Sequence, residues 1–323
     1  MPDIDWERAA REMIAGLRGA RSRALLSRRL GYRTNTVSDW EAGRRYPTAA
    51  EFLRACRLLR VDVGTAFRHF HPATASQLRA AGAVDIAHWL DALRGRTPLR
   101  TVAERSGFSR FAVARWLKGR AQPRLPEFLR LVEALSQRAS DLADALVGIE
   151  RVPALLTQHR RRSAAKTLAF EFPDSEAILR IMETAAYRAL ATHRTGALAE
   201  LLGMAPELEQ RVLLALEHSG ILQVDAGRYQ PLQPLNVDTS AEPAALNRLK
   251  AHWANLALQR LAAPRDQDWL GYSLMSLSAA DLERVREILR NAYREIRSLA
   301  AASEPVEVAA LLNLHLVTFP SVH

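Results

Sequence analysis

The sequence predicts a mainly α protein: two tandem copies of one helical domain, a smaller helical unit closing in a hairpin, and a strand–helix–strand end. Three observations carry this. Apolar residues make up 48% of the 323, enough for real cores, and they recur at helical spacing over most of the chain. Shifting the stretch around Gly31 by 76 residues aligns it without gaps on the stretch around Gly107. Near the end, Leu312-Asn313-Leu314-His315-Leu316 changes to an alternation of period two, as in a half-buried strand.

The repeat organises the first half. It pairs Gly31 with Gly107, Val37 with Val113, Trp40 with Trp116, Gly43 with Gly119, Pro47 with Pro123 and Phe52 with Phe128. Rare residue types coinciding at a single offset mark a duplicated domain, here 1–72 and 73–148. In the first copy a helix is expected over 5–16, with Trp6, Ala10, Met13 and Ile14 inward. Ser22 N-caps a second over 23–30. A short helix carries Val37 and Trp40, another over 48–59 turns Phe52, Leu53 and Leu59 inward, and a last lies near 65–70. The second copy repeats the plan over 86–93, 99–106, 109–118, 126–136 and 141–147, joined to the first by small residues around 73–83. Trp40, Trp116, Phe52 and Phe128 are expected in cores. Cys56, the one cysteine, shares a helical face with Phe52 and Leu59 and reads as a buried apolar residue.

Leu26–Pro47, LSRRLGYRTNTVSDWEAGRRYP, reads as two short helices joined by a tight turn and followed by a basic loop. Gly31 supplies the turn, since a residue without Cβ takes positive φ freely. Val37 and Trp40, three apart, share the buried face, leaving Arg33, Thr34, Asn35, Ser38 and Asp39 on the other. Over about sixty residues this stretch resembles the helix-turn-helix of Cro/cI-type (XRE) transcription regulators. The resemblance implies that Thr34, Asn35 and Asp39, with Arg33 beside them, take base-reading positions in the major groove of double-stranded DNA. Asn suits an adenine edge and Arg a guanine edge. Ser22 and Arg23 at the preceding helix start, and Arg44 and Arg45 in the loop, suit phosphates. In the second copy the base-reading places fall to Arg110, Phe111 and Arg115, after Ser109 as N-cap, with Lys118, Arg120 and Arg124 for phosphates. Phe111 is unusual on such a surface: it either meets a thymine methyl or marks a protein contact that replaced DNA reading.

Residues 149–172 are expected to form a linker with a basic centre at His159–Lys166. The unit 173–236 opens with a helix carrying Ile178, Ile181, Met182 and Ala185. Ala197–Leu202 forms a second helix stopped by Gly203, and Pro206 starts a third. Segments 221–224 and 228–232 then flank the turn Asp225-Ala226-Gly227. Helices followed by a hairpin resemble a winged helix. Glu207 and Glu209 open the third helix, where they repel phosphates, so assembly rather than DNA reading is its expected role. The region 237–323 is expected to hold a helix over 241–261, a strand over 269–277, and a helix over 279–302 capped by Ser278 and Asp281. A final strand over 312–319 completes it. The ending LNLHLVTFP, after a strand and a long charged helix, resembles an uncharacterised bacterial family of regulators. There a domain of unknown function follows a DNA-binding region, and the likeness covers about residues 174–320.

Charge separates the two halves. Residues 1–150 carry 26 Lys and Arg against 16 Asp and Glu, a net of +10, and the rest carries 19 of each. A basic front suits a polyanion. No apolar run reaches the eighteen or so residues of a membrane span, and the charged start MPDIDWERAAREM lacks a signal region, so a cytoplasmic location is expected. The chain lacks GxGxxG, Gly-rich Lys-Ser/Thr and HExxH motifs. His69 and His71 read as helix-end residues, His315 as the solvent face of a strand, and Ser276 and Ser278 have no base beside them. No enzyme activity, cofactor or metal is expected. The expected function is a sequence-specific double-stranded DNA-binding transcription regulator, a repressor or autorepressor. Its C-terminal half forms a homodimer or senses a peptide, protein or small-molecule effector. The alternative is a protein-interaction adaptor that reuses the helical frames as partner surfaces.

Overall fold

The computed structural model describes residues 4–75, 78, 82–232 and 243–319, and the chain divides into two units after Ser163. The first unit runs α1 (Trp6–Arg18), α2 (Arg23–Arg29), α3 (Thr36–Glu41), α4 (Ala49–Leu58), α5 (Val63–Phe70), a short α6 (Pro72–Ala75), α7 (Ala83–Arg94), α8 (Leu99–Ser106), α9 (Arg110–Leu117), α10 (Leu125–Ser136) and α11 (Ala139–Val147). An offset of 76 carries α1–α5 onto α7–α11 in order. The expected connection at 73–83 holds the end of α6 and the start of α7, and its residues 76, 77 and 79–81 lie outside the described residues.

Local chemistry explains where these helices begin. Asp5 accepts from Arg8 N–H at 2.8 Å and Asp62 from Thr65 N–H at 2.9 Å, satisfying first-turn donors. At α4 the exchange is mutual: Glu51 N–H donates to Thr48 Oγ1 at 3.2 Å, and Thr48 N–H to Glu51 Oε2 at 2.7 Å. Gly31 and Gly107 stand at φ +86° and +67°, in the left-handed region the turns require.

The two copies share one hydrophobic core. Phe67 and Phe70 of α5 pack on Trp89 of α7 with ring centroids 4.8 and 5.9 Å apart, and Trp89 also meets Phe128 of α10 at 5.9 Å. Trp40, Trp116, Phe52 and Phe128 are buried as expected, and so is Cys56, whose thiol burial pushes well above its ordinary pKa. At the seam the backbones exchange bonds at matched positions. Ala49 N–H donates to the Pro123 carbonyl at 3.0 Å, and Leu125 N–H to the Pro47 carbonyl at 2.8 Å. Because Pro47 and Pro123, and Ala49 and Leu125, are counterparts under the repeat, the exchange is its own inverse, the signature of a two-fold relation.

Residues 149–172, expected as a linker, hold a 3-10 turn (Ile149–Arg151) and α12 (Pro153–Glu171), with Val152 and Leu155 buried in the first core. Arg162, in the basic stretch, bonds the Gln137 carbonyl and Asp141, so it serves packing.

The second unit continues with α13 (Ser175–Met182), α14 (Ala185–Arg188), α15 (Ala197–Leu202), α16 (Pro206–His218), β1 (Leu222–Asp225), β2 (Arg228–Pro231), α17 (Pro243–Ala262) and α18 (Ala279–Ala302). β1 and β2 pair antiparallel with Asp225 opposite Arg228. The turn residues Ala226 and Gly227 both take positive φ, the geometry that suits a two-residue hairpin. Ile178, Met182, Leu198, Val212, Leu216 and Leu222 close a second core.

The strand–helix–strand end needs correction. The helix over 279–302 is formed as expected, with Asp281 N–H donating to Ser278 Oγ at 3.1 Å. Neither 269–277 nor 312–319 is a strand, however, and β1–β2 is the one sheet among the described residues. A strand needs an adjacent edge to bond. Neither segment meets one within the described chain, although Asn313 Nδ2 donates to the Trp253 carbonyl at 2.8 Å and Ala185 N–H to the Val306 carbonyl at 2.7 Å.

Candidate nucleic-acid interface

The two-helix element α2–α3 is fastened by one buried hydroxyl. Ser27, 1% exposed, accepts from Val37 N–H at 3.0 Å and lies 2.9 Å from the Arg23 carbonyl. Val37 N–H is a first-turn donor of α3 that an N-cap would ordinarily satisfy. Ser27 takes that duty from the preceding helix, so Asn35 at the N-cap makes no capping bond and stays exposed. In the second copy Ser109 caps α9 itself, accepting from Ala112 N–H at 3.2 Å, and Ala103 stands where Ser27 would be. Each copy sets its turn against the same ring pair. Tyr32 meets Trp40 edge-on at 5.5 Å, and Phe108 meets Trp116 edge-on at 5.0 Å.

The expected base readers fall into two states. Arg33, Thr34 and Asn35 are exposed at the start of α3. Asp39 is engaged: Arg44 bonds its Oδ1 through Nε at 2.8 Å and Nη2 at 2.5 Å, and Arg45 Nε lies 3.8 Å from its Oδ2. Arg45 also bonds Thr36 Oγ1 at 2.5 Å. The loop after α3 is thus tied to the helix it follows, with Arg44 and Arg45 still largely exposed. In the second copy Arg110, Arg115, Lys118 and Arg120 are exposed, and their side chains make no hydrogen bond or ion pair among the described residues. Phe111 projects with 85% of its surface exposed.

Besides Arg44 and Arg45, three expected phosphate contacts have other engagements. Ser22 caps α2, accepting from Leu25 N–H at 3.4 Å. Arg23 pairs with Glu41, whose other oxygen takes Arg18 at 2.5 Å. Arg124 Nη1 donates to the Tyr46 carbonyl at 2.7 Å, reaching across the seam from one copy to the other. Sequence reasoning missed this role for Arg124, although its counterpart under the repeat is Thr48, the residue it bridges. It also missed Ser27 and the nearly buried Glu41, because one serine or glutamate within a helix leaves no pattern.

In the second unit only Glu207 of the two first-turn glutamates faces solvent. Glu209 is fully buried and accepts from Gly196 N–H at 2.9 Å, from Ala199 N–H, and from His193 Nε2 at 3.1 Å. It caps the start of α15 from across the fold, so the expectation that it repels phosphates at the surface does not hold for this residue.

These arrangements define a mainly helical protein whose first unit is a duplicated five-helix domain with exposed polar and cationic side chains at matched helix starts. Residues 140–320, more than half of the chain, match the family described as a domain of unknown function (DUF4423), and the chain belongs to that family. The match covers the second unit and reaches back into α11. No curated protein and no solved structure matches the chain. No helix among the described residues is long and apolar enough to cross a membrane.

Proposed function

We propose that the chain is a sequence-specific, double-stranded DNA-binding transcription regulator without enzyme activity, whose first unit carries two Cro/cI-like helix-turn-helix readers. One observation carries this reading. In both copies the second helix of the pair exposes polar or cationic side chains: Arg33, Thr34 and Asn35 around its start in one, Arg110 at its start and Arg115 in its last turn in the other. They lie in a half whose net charge is +10. The first reader's paired Arg44 and Asp39 hold its loop in place for base contacts, and the second's unpaired Arg115, Lys118 and Arg120 favour backbone grip. Fluorescence anisotropy of the full chain on a random duplex pool tests this. Binding should weaken steeply from 50 to 200 mM salt, in the manner of a protein that displaces several counterions. Absence of binding at low salt overturns it.

The homodimer assigned to the C-terminal half is supported by apolar surface the described chain leaves uncovered. From Lys250 to Phe319 no described residue is buried. Along α18, Leu282, Val285, Leu289 and Ala292, which are half-buried, and Ile296 and Leu299, which are exposed, follow the alternating three-four spacing of a two-helix seam. A second copy supplies the matching seam.

The exposed ring of Phe111 favours an adaptor reading. Replacing Arg33, Asn35, Arg110 and Arg115 by Ala separates the two: the regulator loses DNA affinity, and the adaptor keeps its partner.

A further inference from the structure

We propose that one chain reads two half-sites in inverted orientation, as an internal dimer, and that the two half-sites differ in sequence. This rests on the DNA-binding reading above and adds the architecture of the site.

Tandem domains can be related by translation, like beads on a string, or by rotation. The seam decides between them. A translated pair joins one surface of the first copy to a different surface of the second. Here the Ala49-to-Pro123 and Leu125-to-Pro47 bonds join the same surface of each copy, and Thr48 faces its own counterpart Arg124. Helix packing agrees. α5 packs on α11, its own counterpart, and α4 on α10, while α1 on α10 is answered by α7 on α4. Elements touch their own counterparts only where a two-fold axis runs between them. The shared core around Phe67, Phe70, Trp89 and Phe128 then holds this relation rigidly.

The readers lie close to that axis in sequence. α3 ends at Glu41, and Pro47 already sits at the seam; α9 ends at Leu117, and Pro123 does the same. A two-fold presents both readers at one height and in mirrored direction along the duplex. B-DNA has local two-folds of its own, so such a pair engages inverted half-sites whose centres lie about one helical turn apart. Chains of this symmetry ordinarily need two subunits to read a palindrome. The duplication places both readers in one chain.

Duplication also freed the readers to diverge. Thr34, Asn35 and Asp39 face Arg110, Phe111 and Arg115 at the matched places. Asn suits adenine and Arg suits guanine. The half-site under the first copy is therefore expected to carry adenine where the second carries a guanine or a thymine methyl, giving an imperfect palindrome.

The test selects duplexes bound by the full chain from a random pool, then measures affinity by anisotropy. Expected are two related, inverted half-sites centred about 10 base pairs apart. Inserting five base pairs between them, which turns one half-site to the opposite face of the helix, should weaken binding at least about tenfold. Asn35→Ala should relax base preference in one half-site alone, and Arg115→Ala in the other alone. Direct repeats, or tolerance of the five-base-pair insertion, overturn the internal dimer while leaving DNA binding intact. So does relaxation of both half-sites by Asn35→Ala, which would mean two chains each contributing a first copy. Failure of every duplex to bind at low salt overturns the DNA-binding reading itself.

Discussion

The first unit and the C-terminal arm, 250–319, are both rich in apolar residues at regular spacing, yet they treat those residues differently. In the first unit Met13, Phe52, Phe67, Trp89, Leu90 and Phe128 are at most 1% exposed. In the arm Trp269 is 89% exposed, Tyr272 94% and Leu299 72%. The difference is one of supply. A five-helix domain of about seventy residues buries a modest share of its surface alone, and the duplication gives it a partner in the same chain. The arm has no such internal counterpart, and many of its apolar residues stay exposed. Under the proposed homodimer, a duplicated sequence closes its core within one chain and an unduplicated one closes it between chains.

Breaking the seam of the first unit should have the largest effect. Trp89→Ala empties the place where α5, α7 and α10 meet, and a cost of about 3–5 kcal/mol is expected, as for large-to-small changes in cores. Thermal unfolding followed by circular dichroism should show the loss at any protein concentration. An unchanged midpoint would mean that the copies do not depend on each other. The matching change in the arm, Ile296→Glu with Leu299→Glu, should behave in the opposite way. Helicity at low concentration should persist, but light scattering should report one chain rather than two. An unchanged mass would remove α18 from the dimer interface.

Glu209→Ala comes next. It leaves Gly196 N–H and Ala199 N–H inside the second unit without their buried acceptor. Unsatisfied buried donors cost about 1–3 kcal/mol each. Urea unfolding should register the loss, and Glu209→Gln, which keeps one acceptor oxygen, should recover part of it. Equal stability of the two variants would show that the carboxylate is not acting as a cap.

Much of the helical frame was legible in the sequence. The repeat located ten helices, and α8, α15 and α18 have the bounds their caps and glycines predict. Local signals sufficed there because caps and stop residues act within a few positions of themselves. The failures share a cause as well. Trp269–Leu277 and Leu312–Phe319 have the composition of strands, but ladder bonds come from a neighbour that no local pattern reveals. Glu209 read as a surface charge because its spacing says nothing of the N–H groups folded over it. Arg124 read as a phosphate contact because its basic surroundings resemble those of Lys118 and Arg120, and only the seam distinguishes it. At the candidate site the exposure of Asn35 was expected. The hydroxyl of Ser27 that relieves it of capping was not.

The smallest effect compares the two copies directly at Tyr32, whose counterpart is Phe108. Tyr32 Oη donates to Glu51 Oε1 at 2.6 Å, and Thr48 adds its N–H at 2.7 Å to the other oxygen. Burial alone would raise the Glu51 carboxyl. The bonds from Tyr32 and Thr48 outweigh it and hold the carboxyl below its ordinary range, while burial and Glu51 push Tyr32 up to about 12. A depressed carboxyl contributes stability that is present above its unfolded pKa, about 4.3, and lost as pH falls through the folded value. Tyr32→Phe makes the first copy resemble the second and removes one of the bonds responsible. It should cost about 1 kcal/mol at pH 7, and the gap to the parent chain should close as pH falls through the depressed folded value of Glu51. Urea midpoints at pH 7 and at successively lower pH follow both effects. A gap that stays constant as pH falls would mean the hydroxyl acts through packing on Trp40 rather than through the Glu51 charge.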